Sequence, residues 1–239
     1  MGDEARITVL ALGAHPDDLE FMAGGTLANF ARAGHRVVMA TATNGNQGHM
    51  VIMPPELAAI RREEAARGAA VIGAAYEGLG IDDEFLTDSL EDRMKVIELF
   101  RRVQPDLVIT NPPDDYHPDH RACFQLVFDA SFVATVPHIS DSPRLKAVPQ
   151  IYTMTPVGGI DAQPEFYIDI TETIGIKLEA LGKHESQVVW LKEHDNFDLV
   201  ATARAEAAHT GFKCGVAYAE GFRRVHRYPG IRAQRLLPY

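Results

Sequence analysis

A chain of 239 residues, 46% of them hydrophobic, is long enough to bury one continuous core, and residues 1–239 are expected to form a single domain. Its 33 acidic and 23 basic residues leave a formal charge of −10, which repels a phosphate backbone and argues against a nucleic-acid partner. Two cysteines, Cys123 and Cys214, make no disulfide framework or metal-binding pair, and the apolar run Ile7–Gly13 is too short for a membrane span or a signal peptide. The expectation is a cytoplasmic protein with no membrane partner.

In chain order, short apolar runs alternate with longer amphipathic ones, the pattern of βαβ units. Strands are predicted at Ile7–Leu12, Val37–Thr43 and Leu107–Thr110, with a weaker one near Ala74–Gly78. Between them, Leu19–Ala33, Pro55–Ile72 and Asp88–Val103 carry apolar residues three and four apart, as helices with one buried face do. Gly34, Gly73 and Pro105 supply the stops. Asn44–Pro55 mixes glycines, methionines and prolines, and Leu79–Thr87 holds three acids with little periodicity, so both read as loops. Further on, Pro118–Val136 reads as a helix, Gln150–Thr155 and Phe166–Ile170 as strands, and Thr171–Leu191 as one or two helices. The fold class is α/β: a Rossmann-like open sheet, mostly parallel, with helices on both faces.

Ligands of open α/β sheets bind beyond the carboxyl ends of the strands, and two segments there concentrate His and Asp. The first, Ala14-His15-Pro16-Asp17-Asp18, follows the first strand, and Pro16 forces His15 into an extended conformation at the strand tip. Adjacent carboxylates beside an imidazole call for a cation. The second, His117-Pro118-Asp119-His120, follows the strand Leu107–Thr110 and opens a helix with Pro at its first position, so its histidines share one side. If the two strands are neighbours, one or two imidazoles of the second cluster meet His15 and an aspartate of the first. Two His and one carboxylate leave room for water and substrate, the pattern of a catalytic zinc site.

These residues resemble the PIG-L/LmbE family of zinc-dependent de-N-acetylases. The resemblance is carried by Ala14–Asp18 with its continuation through Gly24-Gly25-Thr26-Leu27, and by His117–His120. Arg61-Arg62-Glu63-Glu64-Ala65, His184-Glu185-Ser186-Gln187 and Ala219-Glu220-Gly221-Phe222 support it. It implies His15, Asp18 and His120 as Zn2+ ligands and Asp17 as the general base toward a metal-activated water. It implies His117 as the acid or electrostatic group, with Asp119 beside it to orient its ring. Arg61 matches an arginine near the substrate, against an alternative as a surface partner of Glu64. Asn44 either contacts sugar hydroxyls or makes a turn. Leu19 departs from the family, where an acid often follows the two aspartates; here the acid is Glu20, without an assigned role.

The resemblance implies a small-molecule partner, an N-acetylglucosamine-type conjugate such as the precursors of bacillithiol- or mycothiol-like thiols, and leaves assembly into a homo-oligomer open. Two other readings compete. The same donors could hold iron in a non-haem oxygenase, since donor atoms alone do not choose the metal. A non-catalytic nucleotide-binding module would need a glycine-rich fingerprint after the first strand, which Gly13–Gly25 does not supply. His35 reads as a turn residue, His138, His194, His209 and His226 as structural or surface residues, and Trp190 as core or interface, not a sugar platform. His49 and His184 are given no role.

Overall fold

The computed structural model describes residues 6–156 and 163–228. Five strands run parallel: β1 (Thr8–Gly13), β2 (Arg36–Thr43), β3 (Ala75–Ile81), β4 (Leu107–Thr110) and β5 (Gln150–Met154). Two more close one side, β6 (Phe166–Asp169) at the edge and β7 (Ala219–Arg224) antiparallel between β5 and β6, giving the order β3-β2-β1-β4-β5-β7-β6. The helices are α1 (Asp18–Arg32), α2 (Pro54–Ile72), α3 (Leu90–Val103), α4 (Pro118–Val133), α5 (Ile174–Leu181), α6 (Glu185–Asp195) and α7 (Leu199–Cys214). None of the described helices is long and apolar enough to cross a membrane.

Because successive strand residues point to opposite faces, each central strand feeds two cores. Val9 and Ala11 pack with Leu19 and Leu27 of α1 and with Ala69 and Ile72 of α2. Leu10 and Leu12 pack on the other side with Val96 and Phe100 of α3 and with Cys123 and Leu126 of α4. Burial on both faces explains why these strands read as unbroken apolar runs.

The structure departs from the sequence expectation at β3 and at α7 and β7. Residues 79–81, read as loop, extend β3 to Ile81; Gly78 and Gly80 dilute the strand signal, but backbone pairing with β2 holds this edge strand regardless. Thr171–Leu191, read as one or two helices, is two, broken at Gly182–His184, as that reading allowed. Helix α7 and strand β7 had no signal: α7 buries a narrow stripe of Leu199, Ala203, Ala207 and Gly211, and β7 is short and carries Glu220 and two arginines.

Strand β7 also explains two of the motif fragments. The Glu220 carboxylate accepts from the backbone N–H groups of Gly25 (3.0 Å) and Thr26 (2.8 Å) in the middle of α1. Lys177 of α5 donates to the same carboxylate and to the Phe21 carbonyl. Glycines permit the close packing here, since a Cβ on Gly24 would lie 3.2 Å from the Lys177 side chain and one on Gly25 2.7 Å from that of Ile170. Lys177 and Glu220 are both buried, and stripping one partner from such a pair costs about 3–5 kcal/mol. The clip fixes α1, the helix that carries Asp18 at its start.

The order of the sheet reverses at β1, which has β2 on one side and β4 on the other. The carboxyl ends of β1 and β4 therefore open a crevice at the switch point.

Candidate metal centre

The chain beyond β1 is pinned on both sides. Ala14 N–H donates to Asn111 Oδ1 (2.9 Å) after β4, and the Ala14 carbonyl accepts from the backbone N–H (2.8 Å) and hydroxyl (2.9 Å) of Thr43 at the end of β2. Pro16 turns the chain into Asp17, the N-cap of α1, which sits at φ 105°, a left-handed conformation rare outside glycine. Arg61 holds it there. Its Nη2 donates to the Pro16 carbonyl (2.5 Å) and to Asp17 Oδ2 (3.1 Å), and its Nη1 to the Gly45 carbonyl (3.1 Å). A strained residue gripped by a buried guanidinium marks a functional position more readily than a structural one.

Three side chains then converge. His15 Nδ1 lies 3.2 Å from His120 Nε2, His120 Nε2 lies 3.3 Å from Asp18 Oδ1, and His15 Nδ1 lies 3.6 Å from Asp18 Oδ2. Tetrahedral zinc with bonds of 2.0–2.2 Å needs donors about 3.3–3.6 Å apart, a spacing the two imidazole nitrogens and, through its two oxygens, Asp18 approach. His117 with His15 and His120, and Asp83 with Asp119 and His15, also cluster closely enough to hold an ion. The resemblance pointed to the triad of His15, Asp18 and His120, and the pairing of β1 with β4 is what brings it together. Asp18 Oδ2 is further tied to the His15 N–H (2.9 Å) and Asn111 Nδ2 (3.3 Å).

Each imidazole has a carboxylate behind it, an arrangement that orients metal-binding histidines. Asp115 Oδ2 stands 2.8 Å from His120 Nδ1. Asp83 Oδ1 and Asp119 Oδ2 stand 3.0 and 3.3 Å from His15 Nε2. Asp119 was expected to orient His117, and here the structure corrects the sequence reading: its carboxylate faces His15 and accepts the Glu84 N–H (2.8 Å), while only its backbone N–H reaches the His117 ring. Adjacency in sequence misled, because side chains one or two apart on a helix point in different directions.

His117 caps α4, its Nδ1 accepting the Asp119 N–H (3.2 Å). In the neutral ring the proton is then on Nε2, which lies 3.4 Å from Glu84 Oε1. Its ring packs against those of His15 and His120, with centroids 4.6 and 4.9 Å away. Burial, and then the neighbouring charges on His15 and His120, lower the His117 pKa, favouring the neutral donor.

Elsewhere in the cluster the balance runs the other way. Burial would lower the pKa of His15, but Asp119, Asp18 and Asp83 raise it well above the ordinary value. Burial is likewise outweighed at His120, where Asp18 and Asp115 push the pKa up to about 9. Burial would raise Asp18, yet His120 and His15 hold it well below the usual carboxylate range. Asp17 is raised by burial, against the opposing pull of Arg61 and His184. The carboxylates thus favour the protonated forms of His15 and His120, and a metal ion would compete with those protons for the same nitrogens.

Other expectations fall outside the cluster. Arg61 is 3% exposed and makes no surface pair with Glu64, which is itself buried and accepts from Ser186 N and Oγ instead. Asn44 makes a turn: its Oδ1 accepts the Asn46 N–H (3.0 Å) and its Nδ2 donates to Asp82 (3.1 Å). His49 Nδ1 accepts the N–H groups of Val51 and Ile52, folding its own loop, and its ring lies 5.2 Å from Trp190. His184 and Glu20 meet in the interior, with His184 Nε2 3.1 Å from Glu20 Oε1, linking α1 to the turn between α5 and α6. An apolar groove of about 530 Å³ lined by Phe30, Leu107, Tyr152, Phe166 and Phe222 reaches the amino end of β4, away from the crevice that holds the cluster.

Asp83, Asp115, Asn111 and Glu84 were missed as site residues. Their only signal was position: Asp83 and Glu84 belong to the acidic loop after β3, and Asn111 and Asp115 to the segment after β4.

Comparison with known proteins bears on the same residues. The family description "GlcNAc-PI de-N-acetylase" (PIG-L) matches residues 10–131, a span that holds both clusters. The chain is 30% identical over 238 residues to diacetylchitobiose deacetylase of Thermococcus kodakarensis, covering 93% of this chain and 84% of that protein. It is 25% identical to 4-oxalmesaconate hydratase of Pseudomonas putida, over 91% of this chain and 89% of that one. Among solved structures, N,N'-diacetylchitobiose deacetylase of Pyrococcus horikoshii aligns with a TM-score of 0.79 and 29% identity, covering 93% of this chain and 87% of that chain.

Proposed function

The chain belongs to the GlcNAc-PI de-N-acetylase (PIG-L) family, and from that premise we propose that it is a zinc-dependent amide hydrolase that removes the acetyl group from an N-acetylglucosamine-type conjugate. The observation that carries the reading is the convergence of His15 Nδ1, Asp18 and His120 Nε2 within 3.2–3.6 Å of one another, beside the strained Asp17. One seven-stranded sheet running from Thr8 to Arg224 supports treating the whole chain as one catalytic domain.

His15, Asp18 and His120 would hold the zinc, which when bound supplies a Lewis acid and lowers the pKa of water. Asp17 takes the proton from the attacking water, its carboxylate oriented by Arg61 and by its own backbone geometry. His117 presents Nε2–H as a preorganised donor where charge develops on the amide oxygen, and Asp17 returns the proton it took from water to the leaving nitrogen. Asp83, Asp115 and Asp119 keep the two ligand rings in place. The products are acetate and a free amine.

The 4-oxalmesaconate hydratase relative makes water addition to an unsaturated diacid the competing chemistry. A panel of N-acetylated sugar conjugates with added zinc is expected to release acetate and amine in equal amounts. Hydration of an unsaturated dicarboxylate without any acetate release from the panel would sink the deacetylase reading. Metal analysis of protein purified without oxygen, beside an oxygen-consumption assay, separates zinc hydrolysis from iron chemistry.

Arg61 acts in this scheme through Asp17 and not through substrate. Arg61→Ala is expected to lower kcat by roughly 10–100-fold, the cost of misplacing a catalytic group by about an ångström, with little change in KM. A raised KM at unchanged kcat would instead make Arg61 a substrate contact.

A further inference from the structure

Resting on the deacetylase reading, we propose that Glu84 is a specificity-determining residue that turns away conjugates with an anionic group beside the amino sugar. The enzyme then takes N-acetylglucosamine joined to an uncharged, apolar group.

Glu84 is held rigidly at the site. It is one of the few non-glycine residues with a left-handed backbone, φ 67°, and its N–H is anchored to Asp119 Oδ2 at 2.8 Å. Its carboxylate stands 3.4 Å from His117 Nε2, yet the side chain stays 53% exposed. It sits where the crevice meets solvent. Among the described residues no lysine or arginine pairs with it, and His117 is its one ionisable partner.

Three arginines near the cluster make bonds within the protein. Arg61 is bonded to Asp17, Pro16 and Gly45. Arg121 donates to the carbonyls of Asp115 and Tyr116, and Arg223 to Asp114. Arg61 and Arg223 are thus already paired with carboxylates. A like charge about 5 Å from Glu84 in partly solvated surroundings costs on the order of tenfold in binding.

The same three loops offer apolar surface instead. Met50, Val51 and Met53 after β2, Phe85 after β3 and Tyr116 after β4 are 66–81% exposed. The Tyr116 ring lies 5.8 Å from that of His117. Exposed side chains of this kind on loops around one crevice suit an apolar substituent, which would cover them on binding.

The test compares two conjugates of the same sugar, the phenyl glycoside and the malate glycoside of N-acetylglucosamine, by kcat/KM for acetate release. Wild type is expected to favour the phenyl glycoside about tenfold or more, less so at high salt. Glu84→Gln, which keeps the size and the backbone N–H to Asp119, is expected to reduce that ratio several-fold, and Glu84→Lys to reduce it further or invert it. Melting temperatures near wild type check that both variants fold. A wild-type preference for malate, or a ratio unchanged in both variants, overturns the role of Glu84 while leaving deacetylation intact. No acetate from either glycoside overturns the deacetylase reading and this inference with it.

Discussion

Asp17→Asn is expected to lower kcat by about 10²–10⁴-fold, the usual contribution of a positioned base, while zinc content stays at the wild-type level. Asn keeps the shape and can still occupy the N-cap of α1, where left-handed geometry suits it. What it cannot do is accept a proton. The Asp17 side chain touches Arg61 and lies outside the ring of donors formed by His15, Asp18 and His120, so the metal should not register its loss. The acidic limb of kcat/KM should also vanish or move, since it reports the group that must be ionised. Zinc content measured beside kcat decides the matter. Loss of the metal from this variant would mean that base and ligand have been assigned the wrong way round.

Asp18→Ala is expected to fail differently, losing zinc and activity together. Asp18 touches both imidazoles, and its carboxylate is the one negative ligand in the triad. Two histidines then remain on the ion. Since even outer carboxylates are worth 10–100-fold in metal affinity, loss of a direct ligand should weaken zinc binding by at least about 10²-fold. The check is zinc per chain after dialysis against a weak chelator, with activity measured before and after zinc is returned. Full zinc retention together with full activity would remove Asp18 from the metal site. Asp18 also bonds Asn111 and the His15 backbone, so a melting curve is needed to separate metal loss from unfolding.

The chain order of strands and helices through Val133 was legible because burial on both sheet faces leaves long apolar runs, and buried-face helices leave a 3.6-residue period. The signal faded at β3, α7 and β7. There the stabilisation comes from backbone pairing, from small residues in a narrow stripe, and from the Glu220–Lys177 clip, none of which produces an apolar period. Likewise His184 and Glu20 could not be placed from sequence, because their partnership joins positions 164 residues apart.

By itself the sequence determined the fold class and the two His/Asp clusters at the strand ends, because strand periodicity, Pro16 and Pro118 act locally. Only the tertiary structure decided which atoms meet. Pairing of β1 with β4 brings His15 and Asp18 to His120, and the loop after β3 then delivers Asp83 to His15 and Glu84 to His117. It also moved Asp119 from the neighbour beside it in sequence to the ring facing it across the crevice. Spacing along the chain limits what a side chain can reach, but hydrogen-bond distance in space depends on which strands lie side by side, and that is a property of the whole sheet.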